Sequence, residues 1–98
     1  MNDVPRIKVK VKFFLQFREF LKKDILEVEL EEGADIILLL ETICNLFNFR
    51  EKLFDDKNEL HQWIKILKNG RQIRFLDGIR TKLIHGDEIA LFPPTIGG

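Results

Sequence analysis

The 98-residue sequence predicts an α+β domain in which a mixed sheet of four to five strands packs on one main helix and a flexible tail follows. Three observations carry this expectation. Residues 7–14 alternate apolar residues with Lys, as a half-buried strand does. Residues 36–47 place apolar side chains at helical spacing. The last apolar strand, Glu88 to Phe92, stops at Pro93-Pro94 and is followed by Thr95-Ile96-Gly97-Gly98. The expected division is a folded domain over residues 1–94 and a flexible tail over residues 95–98.

Taken in order, Ile7, Val9, Val11 and Phe13 share the core face of the first strand, and Phe14 falls on the outer face with Lys8, Lys10 and Lys12. An aromatic there is either a strand-end packing residue or part of a contact surface. Gln16 to Lys23 carries Phe17, Phe20 and Leu21 at helical spacing, so a short helical turn or structured loop is expected. Residues 25–30 form a second alternating strand with Leu26, Val28 and Leu30 inward, closing a hairpin with a long connection. Asp35 is placed to cap a helix running from Ile36 to Phe47. Its stripe is Ile36, Leu39, Leu40, Ile43, Leu46 and Phe47, and the off-stripe Ile37 and Leu38 suggest a first turn buried all round. Residues 48–60 are mixed and charged, an irregular connection with a helical turn around Glu51–Phe54.

Trp63 to Lys68 reads as a third strand whose parity is open: either Ile64 and Ile66 or Trp63 and Leu67 face the core. Asn69-Gly70 is a two-residue hairpin signal. Arg71 to Phe75 returns as a fourth strand, and Asp77-Gly78 and His85-Gly86-Asp87 are turns. Ile89 and Leu91 of the last strand point inward and Phe92 outward, like Phe14. Strands in this order around one crossover helix give the β-grasp, or ubiquitin-like, arrangement. If the first and last strands are neighbours, Phe14 and Phe92 form one aromatic patch beside the start of the tail.

Composition narrows the functional classes. Lys+Arg and Asp+Glu are both 16, and a formally neutral chain argues against bulk nucleic-acid binding. No apolar run reaches the ~18 residues of a membrane span and the first residues lack the shape of a signal peptide, so a cytoplasmic location is expected. The single cysteine, Cys44, lies among apolar helix positions and reads as a small core residue. With only two scattered histidines, His61 and His85, no metal site is expected, and no motif nominates an active site within the chain. What stands out is the ending. Two prolines supply no amide donors and stiffen the exit from the sheet. Gly97 and Gly98 lack side chains, so the terminal carboxylate could pass down a narrow channel. A frayed terminus is the plain alternative.

From Ile7 to Gly98 the chain resembles the MoaD/ThiS family of ubiquitin-like sulfur carriers. The resemblance rests on Lys10-Val11-Lys12-Phe13-Phe14 with Arg18-Glu19, on Lys68-Asn69-Gly70-Arg71, on Gly86-Asp87-Glu88, and on Ala90-Leu91-Phe92-Pro93-Pro94-Thr95-Ile96-Gly97-Gly98. The last is the most specific and is similar to the ending of the small subunit of molybdopterin synthase. Residues 49–62 are longer than the bacterial pattern, and Met1–Arg6 extends the start. The resemblance implies that an E1-like adenylyltransferase (MoeB/ThiF type) uses ATP to adenylate the Gly98 carboxylate. Sulfur from a donor protein or sulfide then leaves a Gly98 thiocarboxylate, with Gly97 beside it. It further implies that the tail enters a large catalytic subunit (MoaE type), that Phe14 and Phe92 pack on partners, and that Pro93, Pro94, Thr95 and Ile96 direct the tail. ATP belongs to the partner, and no cofactor is expected to stay bound to this chain. The same ending fits a ubiquitin-like modifier joined to lysines through Gly98, a carrier for thiamine or tRNA thiolation, or a passive interaction module.

Overall fold

The computed structural model describes residues 4–94. Its sheet has five strands: β1 (Arg6–Phe13), β2 (Ile25–Glu31), β3 (Lys65–Lys68), β4 (Arg71–Gln72) and β5 (Glu88–Phe92). Their order across the sheet is β2-β1-β5-β3-β4. β1 and β5 run parallel in the middle of the sheet, and the other neighbours are antiparallel. Three helices complete the fold: α1 (Leu15–Leu21), α2 (Ile36–Phe47) and α3 (Arg50–Leu53). This is the β-grasp arrangement that the order of elements predicts.

The period-two pattern of β1 fixes its faces. Ile7, Val9, Val11 and Phe13 are buried while Lys8 and Lys10 are exposed. Val28 and Leu30 of β2 and Ile89 and Leu91 of β5 join them, and the register sets Val9 opposite Val28 and Val11 beside Ile89. Helix α2 lies over this inner face with Ile36, Leu39, Leu40, Ile43 and Cys44 buried. Removing such side chains from water is the main stabilising contribution of the fold, about 1.5–3 kcal/mol for each large aliphatic or aromatic one. The Asp35 carboxylate accepts from the Leu38 amide at 3.0 Å and caps α2, and Asn48, at φ 53, closes its other end.

Four expectations need correction. Leu46 is 59% exposed and Leu38 is also exposed, so the buried stripe of α2 is narrower than its apolar positions, and its first turn is not buried all round. Phe49, by contrast, is fully buried although it lies in what reads as an irregular connection. Its ring meets Phe13, Phe17 and Phe20 at centroid distances of 6.5, 5.2 and 5.6 Å. Strand β3 begins at Lys65, not at Trp63, because Trp63 has φ 75 and left-handed backbone cannot continue an extended strand. Its parity is the one that turns Ile66 into the core. Finally, β4 is two residues long and Ile73–Phe75 is a 3-10 turn. The turn drops Ile73 into the core, where a longer β4 would have kept pairing with β3.

The turn between β3 and β4 is tied to the start of β5. Asn69 and Gly70 both take positive φ, 50 and 85, as a tight hairpin of right-handed twist requires. Asn69 Nδ2 donates to Asp87 Oδ1 at 2.9 Å, and Asn69 Oδ1 accepts from the Glu88 amide at 2.9 Å. Asp87 is buried, and its other oxygen accepts from the Ile84 amide at 2.8 Å. His85, expected as a solvated turn residue, is exposed but accepts from the Lys8 amide through Nδ1 at 3.1 Å.

Candidate functional site: the outer face of the sheet beside the tail

Phe14 and Phe92 reach the outer face from adjacent parallel strands. The β1–β5 ladder aligns Phe13 with Leu91, and the Phe14 amide donates to the Leu91 carbonyl at 3.2 Å, which carries the pairing one residue past β1. Phe14 keeps extended backbone, φ −124 and ψ 153, as the residue before α1. By strand parity its ring emerges on the same side as that of Phe92. The two rings stack with centroids 4.3 Å apart and planes 9° from parallel. Both are half-buried, so the patch is a partly covered aromatic plate and not two freely exposed rings.

Around the plate lies a shallow hollow of about 420 Å³ that includes Lys12, Phe14, Leu67, Glu88, Ala90 and Phe92. Leu67 lies opposite Ala90 in the β3–β5 ladder and extends the apolar floor. The sequence left it unassigned because β3 could be read in either parity. At the edge, Lys12 Nζ stands 2.9 Å from Glu88 Oε1. The hydrogen bond and charge of Lys12 hold the Glu88 carboxyl below the usual carboxylate range. Phe92 is opposite Lys65 at the end of the β3–β5 pairing. Pro93, which has no amide to extend the ladder, is buried, and Pro94 is exposed. Thr95, Ile96, Gly97 and Gly98 lie outside the described residues.

A second hollow, of about 670 Å³, is bordered by Phe20, Arg50, Lys52, Phe54 and the 55–58 loop. Several of its polar groups are already engaged. Arg50 contacts Glu41 at 2.7 Å and Asn58 at 3.0 Å and lies over the Phe54 ring, while Asp55 accepts from the Lys57 and Glu59 amides. His61 contacts the Glu51 carbonyl, Cys44 is buried, and among the described residues no group of three or more His, Cys, Asp or Glu side chains gathers where a metal could sit. None of the described helices is long and apolar enough to cross a membrane.

Comparison with known proteins agrees with this geometry. The ThiS family profile matches residues 11–98. The chain belongs to the ThiS family. Small archaeal modifier protein 3 of Haloferax volcanii is 29% identical over 93 residues, covering 94% of this chain and 100% of that protein. The solution structure of small archaeal modifier protein 1 from Methanosarcina acetivorans superposes with a TM-score of 0.80 at 34% identity, over 96% of this chain and 99% of that one. A candidate subunit 1 of a molybdopterin converting factor from Pyrococcus furiosus gives 0.72, also at 34% identity, over 91% and 99%. The chain is thus a ubiquitin-like small protein of the sulfur-carrier and modifier family, and the described parts of the motifs quoted from its sequence fall on β1, α1, the β3–β4 hairpin, the turn before β5, and β5 with Pro93-Pro94.

Proposed function

We propose that this ThiS-family chain is a cytoplasmic sulfur carrier whose Gly98 carboxyl is the group that is activated. The observation that carries the reading is the Phe14–Phe92 stack at the point where β5 gives way to Pro93-Pro94. It sets an apolar docking plate at the base of the segment that ends in Gly97-Gly98. In the proposed sequence the Gly98 carboxylate attacks the α-phosphorus of ATP on an E1-like adenylyltransferase, releasing pyrophosphate. Hydrosulfide, free or delivered by a donor protein, adds to the acyl carbonyl. AMP leaves with the C–O bond electrons, one proton is released, and Gly98 remains as a thiocarboxylate. Activation is needed because a carboxylate is a poor acyl donor, and the partner supplies the nucleotide site and catalytic groups. The likeness to the Pyrococcus protein supports molybdopterin as the destination, with a large catalytic subunit of MoaE type receiving the tail and a pterin precursor taking the sulfur.

The test is intact mass after incubation with the activating enzyme, ATP and sulfide. The expected result is the gain that corresponds to one oxygen replaced by sulfur, lost when Gly98 is deleted. No gain, with the enzyme active on another carrier, sinks the carrier reading. The likeness to two small archaeal modifier proteins supports a second use of the same adenylate. There a lysine Nζ of a target attacks the Gly98 carbonyl, AMP leaves, and an isopeptide bond forms. Recovery of target lysines bearing a Gly98-linked remnant from cell extract, dependent on Gly98, distinguishes this use.

A further inference from the structure

The two edges of the sheet are guarded differently. β4 is two residues long and offers little to pair with, whereas β2 runs for seven residues with β1 on one side only. The Phe13 amide donates to the Asp24 carbonyl and the Glu32 amide to the Pro5 carbonyl, both at 2.9 Å. With the β1–β2 register, these bonds turn the amides and carbonyls of Leu26, Val28 and Leu30 toward β1 and those of Ile25, Glu27 and Glu29 outward. Among the described residues no backbone group of another element pairs with those of Ile25, Glu27 or Glu29. The side chains of Ile25, Glu27, Glu29 and Glu31 are all exposed on the outer face.

Helix α2 runs back along this edge. A hollow of about 320 Å³ is bordered by Leu38 and Thr42 of α2 together with Arg6, Glu29, Leu30 and Glu31. It touches the outer-face Glu29 and Glu31 as well as the inner-face Leu30, so it lies along the edge itself. This is the end of β2 away from Pro93, because Phe13, aligned with Leu91, lies beside the other end of β2. There Lys23, just before β2, holds its ammonium 5.9 Å from the ring centroid of Phe47, the last residue of α2. Leu38, Thr42 and Leu46 recur at four-residue steps on one side of the helix, and Leu38 and Leu46 are 42% and 59% exposed. That side of α2, which the core does not use, borders the open edge of β2 at Leu38 and Thr42.

We propose that the β2 edge docks an extended segment of a partner protein in which Lys or Arg alternates with apolar residues, added to the sheet as a sixth strand. The site is separate from the tail and makes no use of Gly98. Charge selects the occupant. Glu27, Glu29 and Glu31 form a row at two-residue spacing, and the strand that already faces this row from its other side is β1, with Lys10 opposite Glu27, Lys8 opposite Glu29 and Arg6 opposite Glu31. Among the described residues only Glu29 of the three has an ion pair, to Arg6 at 3.7 Å, so the row is open to a second basic strand. A second copy of this chain is a poor fit, because pairing two such edges sets one Glu row against the other. In the added strand, backbone bonds to the outward amides and carbonyls supply affinity, and the apolar residues between the basic ones turn inward over Leu38.

The probe is a synthetic peptide with the sequence of residues 6–12, Arg-Ile-Lys-Val-Lys-Val-Lys, blocked at both ends and titrated into the isotope-labelled full chain at low salt. The amide resonances of Ile25, Glu27 and Glu29 are expected to shift to saturation while those of Arg71 and Gln72 on the other edge stay in place. The same peptide with Glu in place of Arg and of each Lys is expected to move none of them. Glu27→Gln/Glu29→Gln/Glu31→Gln should weaken binding about 10-fold, the combined worth of three opposite-charge pairs across a ladder. Glu27→Pro removes an outward amide and no bond to β1, a position where an edge strand accepts proline, and should abolish the shifts. Wild-type amide positions away from β2 show that each variant is folded. No shift with the basic peptide, equal binding of the acidic one, or wild-type affinity in either folded variant overturns the proposal. Edge shifts that grow with protein concentration in the absence of peptide also overturn it, by assigning the edge to a second copy.

Discussion

Asp87→Ala is expected to be the most damaging single change on the hairpin side of the sheet, and its cost can be worked from the contacts. The side chain is 4% exposed, and its two oxygens accept from Asn69 Nδ2 at 2.9 Å and from the Ile84 amide at 2.8 Å. Lys68 Nζ, at 3.7 Å, is the weakest partner and is discounted. Hydrogen bonds to a charged acceptor contribute about 1.5–3 kcal/mol each. Asn69 lies at the surface and can rehydrate after the change, so its bond counts at the low end. The Ile84 amide, whose bond to Asp87 is partly buried, loses its acceptor. The expected loss is about 3 kcal/mol, an estimate that treats one bond as fully lost and one as partly recovered. For a domain of this size that corresponds to a fall in Tm of roughly 12–24 °C. Urea unfolding followed by far-UV circular dichroism measures it directly, with an unchanged m-value showing that the loss is one of stability. Asp87→Asn should fall between the variant and the wild type, because an amide keeps one acceptor and turns a donor on another donor. A loss under about 1 kcal/mol for Asp87→Ala would mean that the network is solvated and does not hold the hairpin to β5.

Further expectations follow from the same contacts. Phe14→Ala and Phe92→Ala should each cost about 1–2 kcal/mol, and the double variant should cost about 1 kcal/mol less than their sum because the stacked pair can be lost only once; additive losses in a double-mutant cycle contradict the stack. Cys44 should resist a thiol reagent in the native protein and react once urea unfolds it, since burial raises its pKa despite the nearby Arg50. The sign for stability follows: the contribution of this thiol is full below its ordinary value and is lost as pH rises through its folded value, so alkaline unfolding should be less steep in Cys44→Ala. Gly70→Ala should cost about 1–2 kcal/mol by thermal melting through backbone strain alone, because φ is 85 and a new Cβ meets nothing within 4 Å.

How much of this was legible in the sequence depends on whether the signal was local. β1, β2, α2 and β5 each bury one face against a single layer, so their period appears directly in the residue pattern. The cap at Asp35 and the Asn69-Gly70 turn are also local, written in residue type. The missed features depend on what lies across the core. Ile73-Arg74-Phe75 alternates like a strand, yet its first residue is buried and Phe75 is 67% exposed, because the chain leaves β3 to place Ile73 under the sheet. Phe49 sits in a polar stretch, and only the meeting of Phe13 and Phe17 with it across the core shows why it is needed there.

The candidate site follows the same division. Phe14 and Phe92 were each legible as outward aromatics from strand parity, but a 4.3 Å stack requires the parallel pairing of the first and last strands, 78 residues apart at Phe13 and Leu91, whose side chains are both buried. That pairing is what brings two aromatics, each read separately from parity, into one plate beside Pro93. Both strands have a hydrogen-bonded neighbour on each side, so the plate is borne by the interior of the sheet, while Pro93 ends the ladder immediately beside it. Leu67 and Trp63 were obscured for a related reason: whether β3 starts at Trp63 or Lys65 is decided by one left-handed residue, and tryptophan at φ 75 is a conformation no propensity favours.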